Sequence, residues 1–514
     1  MACSACLAAF VLCAMAHAAE RPRYSGSIVI ATVGDPTQTA GLRALAKAYK
    51  QFQPDVDIKI EVTGGSVGGS DNYPTWLSTQ LASGKPRPDI VSGNYCVGYA
   101  HYVNFDYYRR CVNPYTGNRW DQDLDFDFSV FRTTLGIRSM LPTQAVHIMW
   151  FYNVDMFERL GLSPPKTWPE FMDVCAKIQA AGKIPTTLRF DSRYYQWLAE
   201  ILWDQYSRPH IEHLRAQPGD WCFNPETDGV WKYDPADPFN SALPTLNLMR
   251  LERAIHKGII RYDTPEFVEF LERMKEIARY TPPDFLVEQA GAGADPYSLF
   301  VRQDAAIHLD GTWLLPQIDE DMEDLRNHKG ASGPLRAFRW ATFEPPSLTG
   351  PLVKAPARSI ESSAGAYVSI VAKNQPQIDR CVDFVMFWLS APGHQAFIDG
   401  SIAEKEFRPA GKLMVRGVKI PEKYERMNAV YAMIGNAEND VNRLFGLAPQ
   451  GSRLTQDARQ ILVQIIQGRI DCEEGAKRFQ AFAEASVEEA LRKNGMPMSL
   501  LDHPEADPSL YKAE

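Results

Sequence analysis

The order of apolar and polar positions predicts alternating strands and helices in the first part of the chain. Apolar or alternating runs at 27–33, 57–62 and 89–91 are typical of strands. Between them, apolar positions within 42–52 and 74–83 recur at the spacing of a helix. This succession predicts a parallel sheet with helices on its faces.

The same alternation continues toward the end of the chain. Further strands are expected at 145–152, 184–190, 305–309, 337–343 and 365–371, and helices at 154–160, 168–181, 265–277, 376–389 and 455–494. Thr167 and Glu170 fit a capping box, in which each side chain accepts from the backbone N–H of the other residue. A helix start is therefore predicted at Trp168.

One stretch, residues 304–318 (DAAIHLDGTWLLPQI), places a tryptophan between a strand and a helix. The apolar run to Leu309 reads as a buried strand, Asp310-Gly311 breaks it, and a helix begins after Trp313. Ligands of α/β proteins bind at such carboxyl ends of strands. The alternative is a buried tryptophan behind an ordinary Asp-Gly turn.

Aromatic and polar side chains also follow other predicted strands. Sugar rings offer apolar C–H faces that stack on tryptophan and tyrosine, while their hydroxyl groups need hydrogen-bond partners. The candidate stacking residues are Tyr194, Tyr195, Trp197 and Trp313, and the candidate polar partners are Asp35, Asn94, Asp191 and Asp310. The pattern favours a carbohydrate site.

Composition sets the scale of the molecule and excludes one class of partner. A chain of 514 residues with 45% hydrophobic content exceeds what one core needs, so we expect at least two lobes. The formal net charge is -9, and the lysines and arginines form no sustained run. A nucleic-acid partner, which needs a basic stripe, is not expected.

Residues 1–18 have the pattern of a secretory signal peptide. An apolar stretch leads to Ala16-His17-Ala18, an A-x-A cleavage pattern before Ala19. The usual positive n-region is missing, which leaves open a lipoprotein signal acylated at Cys6 or Cys13, although neither cysteine has a good context. We expect plain cleavage, and no later apolar run reaches the roughly 18 residues of a membrane span.

The chain has nine cysteines, three of them in the leader, and the other six include no C-x-x-C pair for zinc or redox chemistry. In an oxidising compartment, Cys96 and Cys111 are candidates for a disulfide that closes a loop. This pairing is a hypothesis that the sequence leaves open.

Catalytic and metal-binding motifs are weak. Residues 64–68 (GGSVG) match G-x-S-x-G with Ser66 in the nucleophile position, but residues 69–73 separate the motif from the predicted helix at 74–83, which favours a flexible loop. The acids at 121, 123, 125 and 127 alternate like calcium ligands. Because Phe126 and Arg132 occupy positions that an EF-hand reserves for glycine and glutamate, we expect neither a metal nor a cofactor.

Five segments together resemble the extracellular solute-binding proteins of ABC importers, in the family 1 sugar-binding group that includes maltose-binding protein. They are 88–94 (PDIVSGN), 150–185 (from WFYNVDMF to GKIP), 305–313 (AAIHLDGTW), 366–398 (from AYVSIVAK to HQAFI) and 407–410 (FRPA). The resemblance covers nearly the whole chain after the leader.

The resemblance implies an α/β, two-lobe, periplasmic-binding-protein-like fold of type II with a hinge that is crossed several times. Lobe one would combine 19–141 with 347–400, and lobe two would combine 142–346 with 401–514. The ligand would lie in the cleft between the lobes.

The resemblance also implies roles for the candidate residues. Trp313 would be the stacking platform after a turn at Asp310 and Gly311, and Asn94 and Tyr95 would face it from the other lobe. The further implied contacts are Asp35 beside the cleft and Tyr194, Tyr195 and Trp197 on a second wall. Apart from the resemblance, Arg193, Arg358 and Arg408 would fit an acidic sugar; in the alternative, Arg408 packs near the hinge and Arg358 is simply exposed.

The implied function is that of a periplasmic or extracellular receptor, expected to be a monomer and not an enzyme. It would bind a sugar or sugar acid and deliver it to the transmembrane subunits of an ABC permease. Two alternatives stay open: a serine hydrolase centred on Ser66, and a non-transport sensing or adhesion subunit on the same fold.

Overall fold

A computed structural model describes residues 22–32, 36–62, 72–92, 101–125, 139–190, 193–286, 295–327, 335–362, 367–425, 453–493 and 495–508. The strands are β1 Gly26–Thr32, β2 Val56–Val62, β3 Ile90–Ser92, β4 Leu141–Pro142, β5 Gln144–Asn153, β6 Ile184–Thr186, β7 Ala305–Gly311, β8 Trp340–Phe343, β9 Glu361–Ser362, β10 Tyr367–Ile370 and β11 Lys412–Leu413.

The helices are α1 Pro36–Tyr49, α2 Asn72–Ala82, α3 Val154–Leu160, α4 Trp168–Ala180, α5 Arg193–Ser207, α6 Ile211–Leu214, α7 Leu248–His256, α8 Pro265–Ala278, α9 Pro296–Val301, α10 Leu314–Asn327, α11 Gln375–Trp388, α12 Ala391–Ala403, α13 Glu422–Glu425, α14 Arg453–Ile466 and α15 Cys472–Lys493. Among the described helices, none is both long and apolar enough to cross a bilayer.

The chain divides into two compact units. Unit one comprises Met1–Ala145 and Ser363–Asn428, and unit two comprises Val146–Ser362 and Ala429–Glu514. The segments 347–362, 401–428 and 142–145 thus fall in other units than the predicted lobe boundaries suggest. Segment 347–362 belongs to unit two because β9, at its end, pairs with Val146 and His147 at the start of that unit. The assignment of the lobes as two halves of a binding site stays a prediction.

Unit one contains a five-stranded sheet in the order β2-β1-β3-β10-β4. β1 is parallel to β2 and β3, as predicted, whereas β10 is antiparallel to β3 and β4. Helices α1 and α12 cross closely, since a Cβ atom at Gly400 would lie 2.3 Å from the Cβ of Ala44. Gly400 is therefore needed for this helix packing.

The sheet of unit two is built around β5, which pairs antiparallel with β7, β8 and β9, while β6 runs parallel to β7. All seven residues of β7 are buried. Trp150 of β5 stacks on Phe343 with ring centroids 6.0 Å apart and contacts Phe171 of α4. β7, the strand that carries candidate site residues, is therefore buried and lies between β5 and β6.

Three elements differ from the sequence-based expectation. The predicted strand at 184–190 ends at Thr186. The predicted break at Asp310-Gly311 is wrong, because both residues continue β7 and pair with Met149 and Ile148. The predicted tail helix is two helices, α14 and α15, because Gly468 ends the first with a left-handed φ of 68°.

The capping box at the start of α4 is confirmed. The Glu170 N–H donates to the Thr167 hydroxyl at 3.4 Å, and the Thr167 N–H donates to the Glu170 carboxylate at 3.2 Å. These bonds satisfy N–H groups that a helix start leaves unpaired.

The acidic segment of unit one uses its carboxylates internally. Asp123 accepts from Asn113, Thr116 and Asn118, and Asp125 pairs with Lys412. In the part of the chain that the structure describes, no group of three or more His, Cys, Asp or Glu residues is arranged to hold a metal ion.

Cys111 is disulfide-bonded. Among the described cysteines, Cys175, Cys222, Cys381 and Cys472 form no disulfide. Cys96, the remaining cysteine after the leader, is outside the described residues, so the pairing of Cys96 with Cys111 stays a prediction.

Candidate functional site

Trp313 lies in a short turn between β7 and α10 that is tied to β5. The Thr312 N–H donates to the carbonyl of His147 at 2.9 Å, and the His147 N–H donates to the Thr312 hydroxyl at 3.1 Å. The Leu315 N–H then donates to the Thr312 carbonyl at 3.0 Å and opens the helix. The turn is therefore fixed on both sides, which limits where the indole can point.

The indole of Trp313 rests on the backbone of Gly311. A Cβ atom at Gly311 would lie 2.3 to 2.5 Å from ring carbons Cε3, Cζ3 and Cη2 of Trp313, far inside van der Waals contact. Glycine is therefore required here by close approach of the ring, rather than by the predicted turn.

Two aromatic side chains of α5 extend the surface that Trp313 begins. The rings of Trp197 and Trp313 are 5.7 Å apart at 52°, and those of Tyr194 and Trp197 are 5.4 Å apart at 84°. All three residues are half-buried, and Tyr194 and Trp197 share one side of the helix at i and i+3. We call Tyr194, Trp197 and Trp313 the aromatic face.

Tyr195 was predicted for the same wall, but it lies in the interior. Its side chain is buried, and burial raises the pKa of its hydroxyl to about 12. One residue further along a helix points about 100° away, which accounts for the difference from Tyr194.

The carboxylate of Asp310 lies beside the aromatic face and is 6% exposed. Oδ2 accepts from His308 Nε2 at 3.1 Å and from the Tyr194 hydroxyl at 3.4 Å, and Oδ1 accepts from the Gly311 N–H at 2.7 Å. Asp310 is thus linked through Tyr194 to the ring contacts with Trp197.

His308 is the residue of this site that the sequence-based reasoning missed. It is fully buried, and its Nδ1 lies 2.7 Å from the Thr187 hydroxyl. The hydrogen-bond network assigns the proton to Nε2, which donates to Asp310, so that Nδ1 accepts from Thr187. The sequence signal that could have identified His308 is the alternation of side chains along β7. This alternation puts His308 on the same side of the strand as Asp310, two residues later.

Aromatic rings surround His308. Phe300 stacks on it at 5.9 Å and 25°, and the rings of Tyr194 and Tyr297 each lie 6.1 Å away. The Tyr297 hydroxyl donates to Asp321 at 2.5 Å, and burial together with this carboxylate raises the pKa of Tyr297. The imidazole therefore has little freedom to rotate.

Arg358 is not exposed, contrary to the alternative that the sequence allowed. Its side chain is buried, with Nε and Nη2 donating to Asp204 at 3.0 and 2.7 Å. Nη1 donates to the Pro238 carbonyl and to the Ser241 hydroxyl. All these donors of Arg358 are engaged inside unit two. Arg358 is therefore better explained as part of a structural ion pair than as a contact for an acidic sugar.

The other candidates are only partly covered by the structure. Asp35, Ser66, Asn94, Tyr95 and Asp191 lie outside the described residues, and of Arg193 only the backbone at the start of α5 is described. Arg408 belongs to unit one and is exposed. The predicted site is therefore observed only for its residues in unit two.

The chemistry of the observed part is that of a recognition surface. Half-buried indole and phenol rings offer flat apolar area, and a nearby carboxylate offers acceptors for hydroxyl groups. This combination suits a ring with C–H faces and hydroxyl edges.

Comparisons with known proteins agree with this description. The family model for bacterial extracellular solute-binding proteins matches residues 34–235. The sn-glycerol-3-phosphate-binding periplasmic protein UgpB of Yersinia pestis is 26% identical over 266 residues, which are 49% of this chain and 53% of that protein. The chain therefore spans about half the length of the curated relatives it matches.

Solved structures share the fold over most of their length. RafE of Streptococcus pneumoniae, in its apo form, matches with a TM-score of 0.53 and 16% identity over 91% of this chain and 99% of that chain. A family 1 extracellular solute-binding protein of Bifidobacterium longum subsp. infantis matches with a TM-score of 0.55 and 16% identity over 89% and 99%. Residues 34–235 thus resemble the bacterial extracellular solute-binding proteins, and the solved structures share the fold of this chain.

Proposed function

We propose that the protein is the substrate-binding component of an ABC importer and that it binds a sugar or oligosaccharide. The observation that carries this proposal is the aromatic face, with Trp313 seated on Gly311 and the Asp310 carboxylate beside it. Bound solute would be handed to the transmembrane subunits of a permease, and the expected receptor is a monomer.

The choice of a sugar rests on the site rather than on the relatives. The Yersinia relative is named for sn-glycerol 3-phosphate, and its identity to this chain is only 26%. A sugar ring that stacks on a flat aromatic surface buries more apolar area than a short phosphorylated alcohol does. The aromatic face therefore contributes more binding free energy to a sugar.

Export to the periplasm or the cell exterior is part of the proposal. The disulfide at Cys111 supports it, since structural disulfides persist in oxidising compartments. The signal pattern of residues 1–18 supports it as well.

We propose binding without covalent chemistry. The matched family is one of binding proteins, and neither the serine-hydrolase nor the sensing or adhesion alternative gains support from it. Labelling of Ser66 by a fluorophosphonate would revive the hydrolase alternative, and its absence is the result that we expect.

A thermal-shift screen of the mature protein against mono- and oligosaccharides, polyols, sugar acids and sn-glycerol 3-phosphate tests the proposal. A ligand at about 100 times its Kd raises the free energy of unfolding by about 2.7 kcal/mol, so a matching sugar should raise the melting temperature clearly. A flat response to every sugar would contradict the proposed ligand class.

A further inference from the structure

We infer that the aromatic face selects uncharged, polyhydroxylated ligands and rejects anionic ones, because Asp310 is held beside it as an acceptor-only carboxylate. The inference deepens the proposed function and rests on it. The sequence leaves open whether the ligand is charged, and the Yersinia relative is named for a phosphate ester.

The hydrogen bonds of Asp310 define its role. Gly311 contributes an N–H, which has no acceptor capacity, and the His308 and Tyr194 groups are assigned as donors as well. Both carboxylate oxygens of Asp310 therefore receive hydrogen-bond donors. The carboxylate then has lone pairs left only for further donors, such as the hydroxyl groups of a ligand.

His308 fixes the position of this charge. The imidazole is bonded to Thr187 on one side and to Asp310 on the other, and Phe300 stacks on its ring. Rotation of the carboxylate away from the face would break its bonds to His308 and to the Gly311 N–H. We therefore describe His308 as a positioning residue that acts through Asp310.

Charge selection follows from this arrangement. A neutral ring stacked on Trp313 can direct a hydroxyl group toward Asp310, whereas a phosphate or carboxylate at that edge would face a fixed negative charge. Salt screens such repulsion weakly at a mostly buried carboxylate. The buried arginine of this unit that was predicted for an acidic sugar, Arg358, is already paired with Asp204.

Calorimetric titration of matched ligand pairs tests the inference. The neutral probes are maltotriose, raffinose, galactose and glucose, and the anionic probes are galacturonate, glucose 6-phosphate and sn-glycerol 3-phosphate. The wild type should bind at least one neutral probe at least about tenfold more tightly than any anionic probe, since one bond to a charged group is worth about that much.

Asp310→Asn should reduce this neutral-to-anionic ratio by at least about tenfold, because the charge is removed while the shape is kept. Asp321→Asn is the matched control. Asp321 also accepts a tyrosine hydroxyl near His308, but that tyrosine is Tyr297, outside the aromatic face. The control should leave the ratio unchanged. If Asp310→Asn does not fold, Asp310→Ser serves the same purpose.

The outcomes separate the two claims. Binding of anionic probes to the wild type as tight as that of neutral probes would overturn the inference alone, and so would equal effects of Asp310→Asn and Asp321→Asn. Failure of every probe to bind the wild type would overturn the proposed function and this inference with it. A ratio that falls only in Asp310 variants supports both.

Discussion

At Gly311 the chain has no room for even a methyl group, because the ring of Trp313 occupies that space. We predict that Gly311→Ala displaces the indole and weakens sugar binding at least about tenfold, with a stability cost of about 1 to 3 kcal/mol from overpacking. Calorimetry and tryptophan fluorescence measure the two effects.

A double-mutant cycle provides the control for this prediction. Combined with Trp313→Ala, the Gly311→Ala change should cost no further affinity, because the ring that it displaces is already gone. Additive losses would mean that Gly311 acts on the ligand independently of Trp313.

His394 and His210 make the stability of the protein dependent on pH. Burial lowers the pKa of each imidazole to about 4, below the value of about 6.5 expected in the unfolded chain. The unfolded state then binds more protons between these values. Stability is therefore fully present above about pH 6.5 and is lost as the pH falls toward 4, by up to about 3 kcal/mol for each histidine.

Urea unfolding of wild type and His394→Leu at several pH values between 7.5 and roughly 4.5 checks this dependence. The variant should show a smaller loss on acidification, even if it starts from a lower stability. The exposed His256, changed to Gln, is the control and should keep the wild-type slope. Equal slopes for wild type and His394→Leu would contradict the prediction.

At the scale of elements, Asp204 joins α5 to the segment that precedes β9. It receives Arg208 from its own helix and Arg358 from that segment, and all three side chains are buried. We predict that Asp204→Ala costs about 3 to 5 kcal/mol, because it leaves two guanidinium groups buried without their partner.

Arg358→Met distinguishes this structural role from a contact with the ligand. Its removal leaves Asp204 paired with Arg208, so the loss of stability should be smaller than for Asp204→Ala. The affinity of Arg358→Met for the sugar found in the screen should stay within about twofold of wild type. Such a change in binding free energy is smaller than the contribution of one hydrogen bond. A large loss of affinity without a loss of stability would return Arg358 to the binding site.

Elements were predictable from the sequence where local signals agree. The capping box at Thr167 and the parallel strands β1 to β3 needed only nearest-neighbour patterns. The continuation of β7 through Asp310 and Gly311 was not predictable, because it depends on pairing with β5, which is distant in the chain. Long-range register overrides a local turn signal.

The candidate site was predictable in the same uneven way. Trp313, Tyr194 and Trp197 were found because aromatic residues cluster after strands, and the structure brings their rings together. Tyr195 was misplaced, because the phase of α5 was unknown. The partners of Arg358 and His308 lie far away in the chain, so no local pattern indicates the pairing with Asp204 or Thr187.

At the scale of the whole molecule, we predict that the partner of Cys111 is Cys96. Non-reducing peptide mapping of the exported protein should find the two cysteines in one linked peptide. Reduction should lower stability by about 3 kcal/mol, as expected for a closed loop of about 15 residues. A free thiol at Cys96 in the exported protein would contradict the pairing.

The molecule as a whole is interpreted as a receptor whose unit two supplies an aromatic face and a fixed acceptor to a sugar. Both features depend on β7: Asp310 and Gly311 end the strand, and Trp313 follows it. The stability of the site and its recognition chemistry thus depend on the same strand, β7. Substitution of the one side chain that follows it, Trp313, therefore tests the proposed sugar binding.

The most direct measurement is calorimetric titration of wild type, Trp313→Ala and Trp340→Ala with the sugar that gives the largest shift in the screen. Trp340 is the control, because it is also a half-buried tryptophan of unit two but lies on β8. We predict that Trp313→Ala weakens binding at least about tenfold, or about 1.4 kcal/mol, while Trp340→Ala binds as the wild type does. Wild-type affinity in a folded Trp313→Ala would contradict the account.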